Sequence, residues 1–452
     1  FPEVFTSGAK GGFDAVIGNP PYVRQESLGD DKSYYKSNYK VYTGTADLYS
    51  YFIEKGISLL DKGGIFCYIV ANKWLRARYG KPLRQWLKAQ CIEEITDFGD
   101  LPVFEGATTY PCIIRVMNHE PHMRPWVTNI KNLDFSSLKN YMKKVGGEVN
   151  QNKFEDEGWS LSDAETQAIL EKIHKNSSPL EKFVDKKMFY GIKTGLNKAF
   201  VINEKTKKQL ISLDYNSRKI IKPFAIGRDI KRYQPINTQE YLIFVPKGWT
   251  NERTTKNAWG WFSSEFPVIA NYLSQYEEKA RKRWDQGDYW WELRACNYYD
   301  EFEKPKITWG NLATTPKFCM DYEGYYINAP SVFISTSDLY LLGLLNSNLC
   351  YYFISRVAAG RRGGFFEYKP IYVSKIPIHV VNENSQDEVD KHNYIIKLVK
   401  RMLELHKQTP QTPFEQEQLE REIAATDAQI DRLVYDLYGL TEEEIKIVEG
   451  EN

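Results

Sequence analysis

The stretch Phe13-Asp14-Ala15-Val16-Ile17-Gly18-Asn19-Pro20-Pro21-Tyr22 decides the fold. Phe13 to Ile17 predict a short apolar strand. The two prolines stop it, because each ring fixes φ and removes a backbone N–H. The result is a rigid rim at a strand's C-terminal end, the place where open α/β sheets bind their ligands. An asparagine carboxamide, a proline carbonyl and an aromatic face are held close together on that rim.

Outward from the rim, residues 23–46 are polar and tyrosine-rich and read as a mobile loop over the site. A helix is expected from Asp47 to about Leu60, where Leu48, Tyr51, Phe52, Ile57 and Leu60 recur at helical spacing. Lys62-Gly63-Gly64 is expected to end it. Strands at Ile65–Val70, Ile92–Phe98 and Tyr110–Met117 come next, with a helix over about Gly80–Lys88 and a loop over Gly99–Thr109. Strands alternating with helices predict a doubly wound sheet. The unit repeat then stops. Residues 126–180 read as a connector with a helix around Ser162–His174, and the tail 381–452 as a pair of amphipathic helices.

With 42% hydrophobic and 26% charged residues and 31 tyrosines, the 452-residue chain is globular. No run reaches membrane-spanning length, so no membrane partner is expected. The six cysteines (67, 91, 112, 296, 319 and 350) lack paired spacing and read as buried thiols of a reducing bacterial cytoplasm, with no metal site. His119 and His122 read as solvated loop side chains. The net charge of +1 hides a segregation. Residues 181–380 carry 30 Lys+Arg against 20 Asp+Glu, residues 381–452 carry 8 against 17, and residues 1–180 balance at 22 each. A basic region interleaved with aromatics is the electrostatic footprint of a nucleic-acid binder. Its densest clusters are Arg228, Lys231 and Arg232; Arg281, Lys282, Arg283 and Trp284; and Arg361, Arg362, Gly363 and Gly364. For any single arginine among them, a solvated surface role competes with a base contact.

Asn19, Pro20 and Tyr22 suit one chemical task. The amino group of a planar heteroaromatic base is a poor nucleophile, since its lone pair is delocalised into the ring. Two acceptors, the Asn19 side-chain oxygen and the Pro20 carbonyl, would bind its two hydrogens and draw the nitrogen towards a tetrahedral form. Tyr22 would stack on the base once it leaves the duplex. Asn19-Pro20-Pro21-Tyr22 is similar to the catalytic motif of amino-group methyltransferases, and the chain resembles an N6-adenine DNA methyltransferase of the gamma class. The blocks DLYSYFIEKGISLLDKGGIFCYIVANKWL (47–75) and DFGDLPVFEGATTYPCIIRV (97–116) carry the resemblance onward. From about residue 180 to 380, KPFAIGRDIKRY, KPKITWG, YYINAPSVFI, LYLLGLLNSNLCYYFI and KIPI resemble the TaqI-like specificity domain of such enzymes and of Type IIG (Eco57I-like) restriction–modification proteins. The ending LVYDLYGLTEEEI is similar to the C-terminal signature of such proteins.

The resemblance implies the C-terminal half of a Rossmann-like methyltransferase sheet (1–125), the connector (126–180), a mixed α+β target-recognition domain (181–380) and the helical tail (381–452). It implies S-adenosylmethionine as methyl donor, double-stranded DNA as partner and Asn19, Pro20, Pro21 and Tyr22 as the catalytic group, with Asn19 also facing the cofactor. Mg is expected only with an upstream nuclease domain, for which Glu301–Lys304 offers a weak acid–acid–lysine cluster. Neither a glycine-rich cofactor turn nor a ribose-binding acid precedes Asn19, so the rest of the cofactor site is expected upstream of Phe1. The expectation is a C-terminal piece of a longer protein, inactive alone. Two other readings stay open: a DNA-binding module without catalysis, and a glutamine-methylating enzyme, which faces the same lone-pair problem at an amide nitrogen.

Overall fold

The strand expected before the rim forms as β1 (Phe13–Gly18). It runs parallel to β2 (Leu60–Ala71), with Gly18 opposite Tyr68. The computed structural model describes residues 2–5, 11–104, 109–156, 158–159, 161, 164–254 and 256–450. Phe1, upstream of which the rest of the cofactor site is expected, lies outside the described residues. So do Glu105–Thr108, inside the second resemblance block, and Ser162, the expected start of a helix.

β2 is longer than its sequence suggests. Lys62-Gly63-Gly64 lies within the strand, not at a helix end. Gly63 takes φ of +79°, and the pairing with β1 shifts register between Phe13 and Ala15. A side chain on Gly64 would fall 2.6 Å from the Phe13 carbonyl oxygen, so only glycine passes this kink. β3 (Cys91–Asp97) and β4 (Pro111–Met117) follow. β4 lies antiparallel between β2 and β3, pairing Pro111 with Ala71 and Cys112 with Asp97. β5 (Trp126–Asn129) runs parallel to β3, and β6 (Gly147–Glu148) closes the order β1-β2-β4-β3-β5-β6. The stretch read as a connector thus supplies the last two strands of this sheet. The C-terminal ends of β1, β2 and β3 and the N-terminal end of β4 share one edge.

Residues 23–46 are not a bare loop. A 3₁₀ turn spans Gln25–Asp31 and α1 spans Lys32–Asn38. Aromatic packing orders them, since Tyr35 stacks on Tyr51 with ring centroids 4.4 Å apart and planes 4° from parallel. The Glu54 carboxylate accepts from the N–H groups of Lys40 (3.0 Å) and Val41 (2.9 Å), fixing the chain beyond α1. α2 (Tyr49–Ser58) buries Tyr49, Ile53 and Ile57 against Phe66 and Val70 of β2, and α3 (Lys81–Leu87) adds Leu83 and Leu87. Gly56 lets α2 approach the sheet, because a Cβ there would meet the Phe66 ring at 2.6 Å.

The chain divides into two compact units that do not follow its order. One holds residues 1–175, 352–367 and 440–452, the other residues 176–351 and 368–439. The second unit contains a sheet in the order Tyr326–Ile327, Ile221–Ala225, Glu240–Ile243, Val201–Asn203. A second, antiparallel sheet has the order Phe318–Asp321, Lys306–Trp309, Val332–Ile334, Met188–Tyr190. Phe200, Phe224, Leu242, Phe262, Trp291 and Phe333 meet in one core there. Lys306 and Asp321 form a fully buried ion pair at 2.6 Å. The acidic tail forms helices Gln386–Leu405 and Pro413–Leu437, which bury Ile395, Val399, Met402, Ile430 and Val434. Among the described residues no helix is long and apolar enough to cross a membrane.

Candidate active site

At the end of β1 the chain leaves the sheet as Asn19-Pro20-Pro21-Tyr22, with Asn19 and Pro21 exposed, Pro20 buried and Tyr22 half-buried. The Asn19 side chain makes no hydrogen bond among the described residues. Tyr22 is fixed from below, its hydroxyl donating to the Ile69 carbonyl of β2 at 3.2 Å. Its ring meets Tyr49 (centroids 6.5 Å, 79°) and Phe104 (6.4 Å, 69°) edge to face. Burial pushes the Tyr22 phenol up to about 12, so the ring stays neutral. The segment after the rim is stitched to the start of α2. Leu48 N–H donates to the Val23 carbonyl (3.0 Å), and Gln25 N–H donates to Asp47 Oδ1 (3.2 Å). Burial raises the Asp47 carboxyl above its usual range.

Asn72 braces the same edge. Its N–H donates to the Tyr110 carbonyl (2.6 Å) and its Nδ2 to Asp97 Oδ1 (2.7 Å), tying β2 to both β4 and β3. Buried Arg84 holds the following turn by donating to the carbonyls of Trp74, Ala77 (2.9 Å) and Asp156 (2.8 Å). Lys73, between them, is half-buried; burial first, and then Arg361, lowers its ammonium pKa. The paired strands Gly360–Arg361 and Phe365–Glu367 belong to this unit. Arg362 N–H donates to the Tyr110 hydroxyl at 2.7 Å, and Gly363 and Gly364, at φ of +82° and +73°, form the tip. Sequence reasoning missed Phe104, Lys73 and this placement of the hairpin. Nothing local in the sequence shows that residues 360–367 return to the β1 unit.

The candidate DNA-contacting cations divide sharply. Arg228 is 73% exposed, with Glu240 at 3.5 Å, and Lys231 is exposed. Arg281 and Lys282 project to solvent but pair with Glu277 (2.7 Å) and Glu278 (2.6 Å) one helical turn back. Arg232 is bound within its unit, both Nη atoms lying 2.6 Å from the Asp427 carboxylate and Nη2 2.7 Å from the Asn346 carbonyl. Arg283 is buried over the Phe200 ring and donates to the carbonyls of Thr194 (2.5 Å), Trp290 (2.9 Å) and Glu292. Burial lowers its guanidinium to about 10. Arg361 is spent on the buried Glu367 carboxylate, Nε at 2.7 Å, while Arg362 is exposed. Arg232, Arg283 and Arg361 therefore hold structure where the sequence suggested ligand contacts. Charge density along a chain does not show which cations fold inward.

Cys91, Glu93 and His122 come within metal-ligand range of one another. The Arg124 N–H donates to His122 Nδ1 (3.1 Å), which makes Nε2 the protonated nitrogen facing Glu93 at 3.1 Å. That is a hydrogen-bonded pair. Glu301 and Lys304, two of the three members of the weak acid–acid–lysine cluster, pair with each other at 2.7 Å.

Residues 1–104 match the family model "Eco57I restriction-modification methylase", and residues 222–378 match "TaqI-like C-terminal specificity domain". The chain is 24% identical to Type II methyltransferase M.BstVI of Geobacillus stearothermophilus, over 87% of this chain and 74% of the relative. It is 23% identical to Type II restriction enzyme and methyltransferase RM.Eco57I of Escherichia coli, over 95% of this chain. It spans 46% of that relative's length. The fold is similar to that of the Type IIL restriction–modification enzyme MmeI, solved in complex with DNA: TM-score 0.60 at 14% identity, over 96% of this chain and 56% of that one. The resemblance to Eco57I-like restriction–modification methylases and to the TaqI-like specificity domain is borne out as two family-model matches, in that order along the chain.

Proposed function

We propose that this chain forms the target-base site and the sequence-recognition part of a restriction–modification DNA methyltransferase. In this reading the enzyme moves a methyl group from S-adenosylmethionine to N6 of an adenine turned out of duplex DNA. The carrying observation is the Asn19–Tyr22 rim: an exposed carboxamide at the end of β1, without a hydrogen-bond partner among the described residues, beside an aromatic corner of Tyr22 and Phe104 anchored to β2. The methylase match that spans the rim and the specificity-domain match downstream of it support this reading.

In this account Asn19 Oδ1 accepts one N6 hydrogen and the Pro20 carbonyl the other. The nitrogen lone pair is thereby withdrawn from the ring and made available, and N6 gives up one proton to solvent on methylation. Both acceptors sit on a backbone already fixed by proline and by the Tyr22–Ile69 bond, so little reorganisation is needed in the transition state. Tyr22 offers the extruded base a neutral face, and Phe104 closes the corner. Asn19, a polar side chain at the strand end with no hydrogen bond among the described residues, fits beside the methyl donor. S-adenosylmethionine supplies an electrophilic methyl group when bound. A nuclease in the whole protein, with its Mg, is a separate proposal resting on the likeness to RM.Eco57I.

The test is product identity. The full-length protein, incubated with duplex DNA and methyl-labelled S-adenosylmethionine, should yield N6-methyladenine on nucleoside digestion. Label in cytosine, or in a protein glutamine, would overturn the reading.

A further inference from the structure

A cluster of cations gathers beside the rim. Arg24 is held next to it by the Val23–Leu48 and Gln25–Asp47 hydrogen bonds. Lys73 follows Asn72, whose N–H and side chain brace β4 and β3 at the same edge. The 360–367 hairpin docks on Tyr110, Asn72's partner, through the Arg362 N–H, and Arg76 Nη1 reaches the Ala358 carbonyl behind it at 3.4 Å. Arg24 and Arg361 are thereby each brought within electrostatic range of Lys73.

Two carboxylates, Asp47 and Glu367, act on Lys73, and both are engaged elsewhere. Glu367 is committed to Arg361, and Asp47 accepts the Gln25 N–H. Asp47 also attracts Arg24, and the exposed Glu26 adds a solvent-screened attraction to it. Among the described residues, neither the Lys73 ammonium nor the Arg24 guanidinium has an ion-pair or side-chain hydrogen-bond partner. A half-buried ammonium that gives up hydration without gaining a partner is costly, and an anion is what would offset that cost. The exposed hairpin tip, Arg362-Gly363-Gly364, leaves the cluster open to a large polyanion; glycine allows close backbone approach.

We propose that Arg24 and Lys73, backed by the 360–367 hairpin, anchor the DNA phosphodiester beside the target nucleotide, fixing the strand from which the base is extruded. This rests on the base-extrusion reading above. Arg361 is then a positioning residue, holding the hairpin through Glu367, and sequence discrimination lies elsewhere.

The experiment uses the full-length protein and the duplex it methylates, with 2-aminopurine in place of the target adenine. Single neutral methylphosphonate linkages are scanned around that position, with wild type, Lys73→Met and Lys73→Arg. Each phosphate contact contributes about 0.9 to the salt slope of binding. Lys73→Met should lower the slope by about 0.9 and reduce 2-aminopurine emission, and Lys73→Arg should restore both. One methylphosphonate should lower the wild-type slope by the same amount and Lys73→Met no further. Full sensitivity of Lys73→Met to every linkage, or a wild type indifferent to all of them, overturns the anchor. A wild type that binds without any rise in emission overturns base extrusion instead, while the slopes still decide on the anchor.

Discussion

Replacing Arg232 separates a structural cation from a DNA-binding one. The sequence places Arg232 beside Arg228 and Lys231 in the most basic stretch, where a phosphate contact is the natural expectation. The structure gives its guanidinium to Asp427 and to the Asn346 carbonyl, with 27% and 26% of the Arg232 and Asp427 side chains exposed. Arg232→Ala leaves Asp427 and that carbonyl without their donor. Removing one member of a fully buried pair costs about 3–5 kcal/mol. With about a quarter of each side chain wetted, part of that returns, and about 2–3 kcal/mol is expected. For a unit of roughly 250 residues, that corresponds to a melting temperature lower by about 5–10 °C. The second perturbation, Arg232→Met with Asp427→Leu, removes both charges and should recover most of the loss. The assays are calorimetric melting and the salt slope of duplex binding. The slope should stay unchanged while the melting temperature falls. A single variant that melts with wild type, or a slope lower by about one, would refute the assignment.

Gly56→Ala should destabilise the β1 unit by ~1–3 kcal/mol, read as a lower denaturant midpoint, because the new methyl meets the Phe66 ring at 2.6 Å. Tyr22→Ala should weaken 2-aminopurine emission by the equivalent of ~1–3 kcal/mol of lost stacking. Tyr22→Phe keeps the ring, loses only the Ile69 bond and should stay active. The Glu388 carboxylate accepts from Asn382 N–H (2.8 Å) and faces His379 Nε2 (3.1 Å), which holds its pKa below the ordinary 4.5. Its stabilisation is complete above 4.5 and is lost as pH falls through the lowered value. Glu388→Gln should therefore flatten the acid side of the melting-temperature profile; an unchanged acid limb would remove Glu388 from the account.

Where local chemistry decides structure, the sequence was readable. Proline after a β-branched run ends β1 at Gly18, and the strand–helix alternation to Met117 is built within a few residues of expectation. What escaped depends on partners distant in sequence. Lys62-Gly63-Gly64 looks like a helix stop, yet its positive φ serves a kink in β2 set by pairing with β1. Trp126–Asn129 and Gly147–Glu148 look like a connector because strands of four and two residues give no periodicity, and β5 exists through its pairing with β3. Residues 25–38 look mobile because tyrosines at irregular spacing do not show that they will stack on α2. At the site, Asn19 and Tyr22 were legible from type and spacing. Phe104 was not, since only the fold places it 6.4 Å from Tyr22. The arginines show the same limit. Arg283 and Arg281 are two residues apart, one buried on three carbonyls and one on a solvent-facing helical turn.

The most direct test of the central claim is single-turnover methyl transfer by the full-length protein carrying Asn19→Ala, beside wild type, at saturating DNA. If Asn19 is the acceptor that readies N6, the rate of the chemical step should fall ~10²–10³-fold, the usual cost of removing one preorganised polar group. Duplex affinity and its salt slope should be unchanged. An Asn19→Ala enzyme that methylates within a few-fold of wild type would contradict the account.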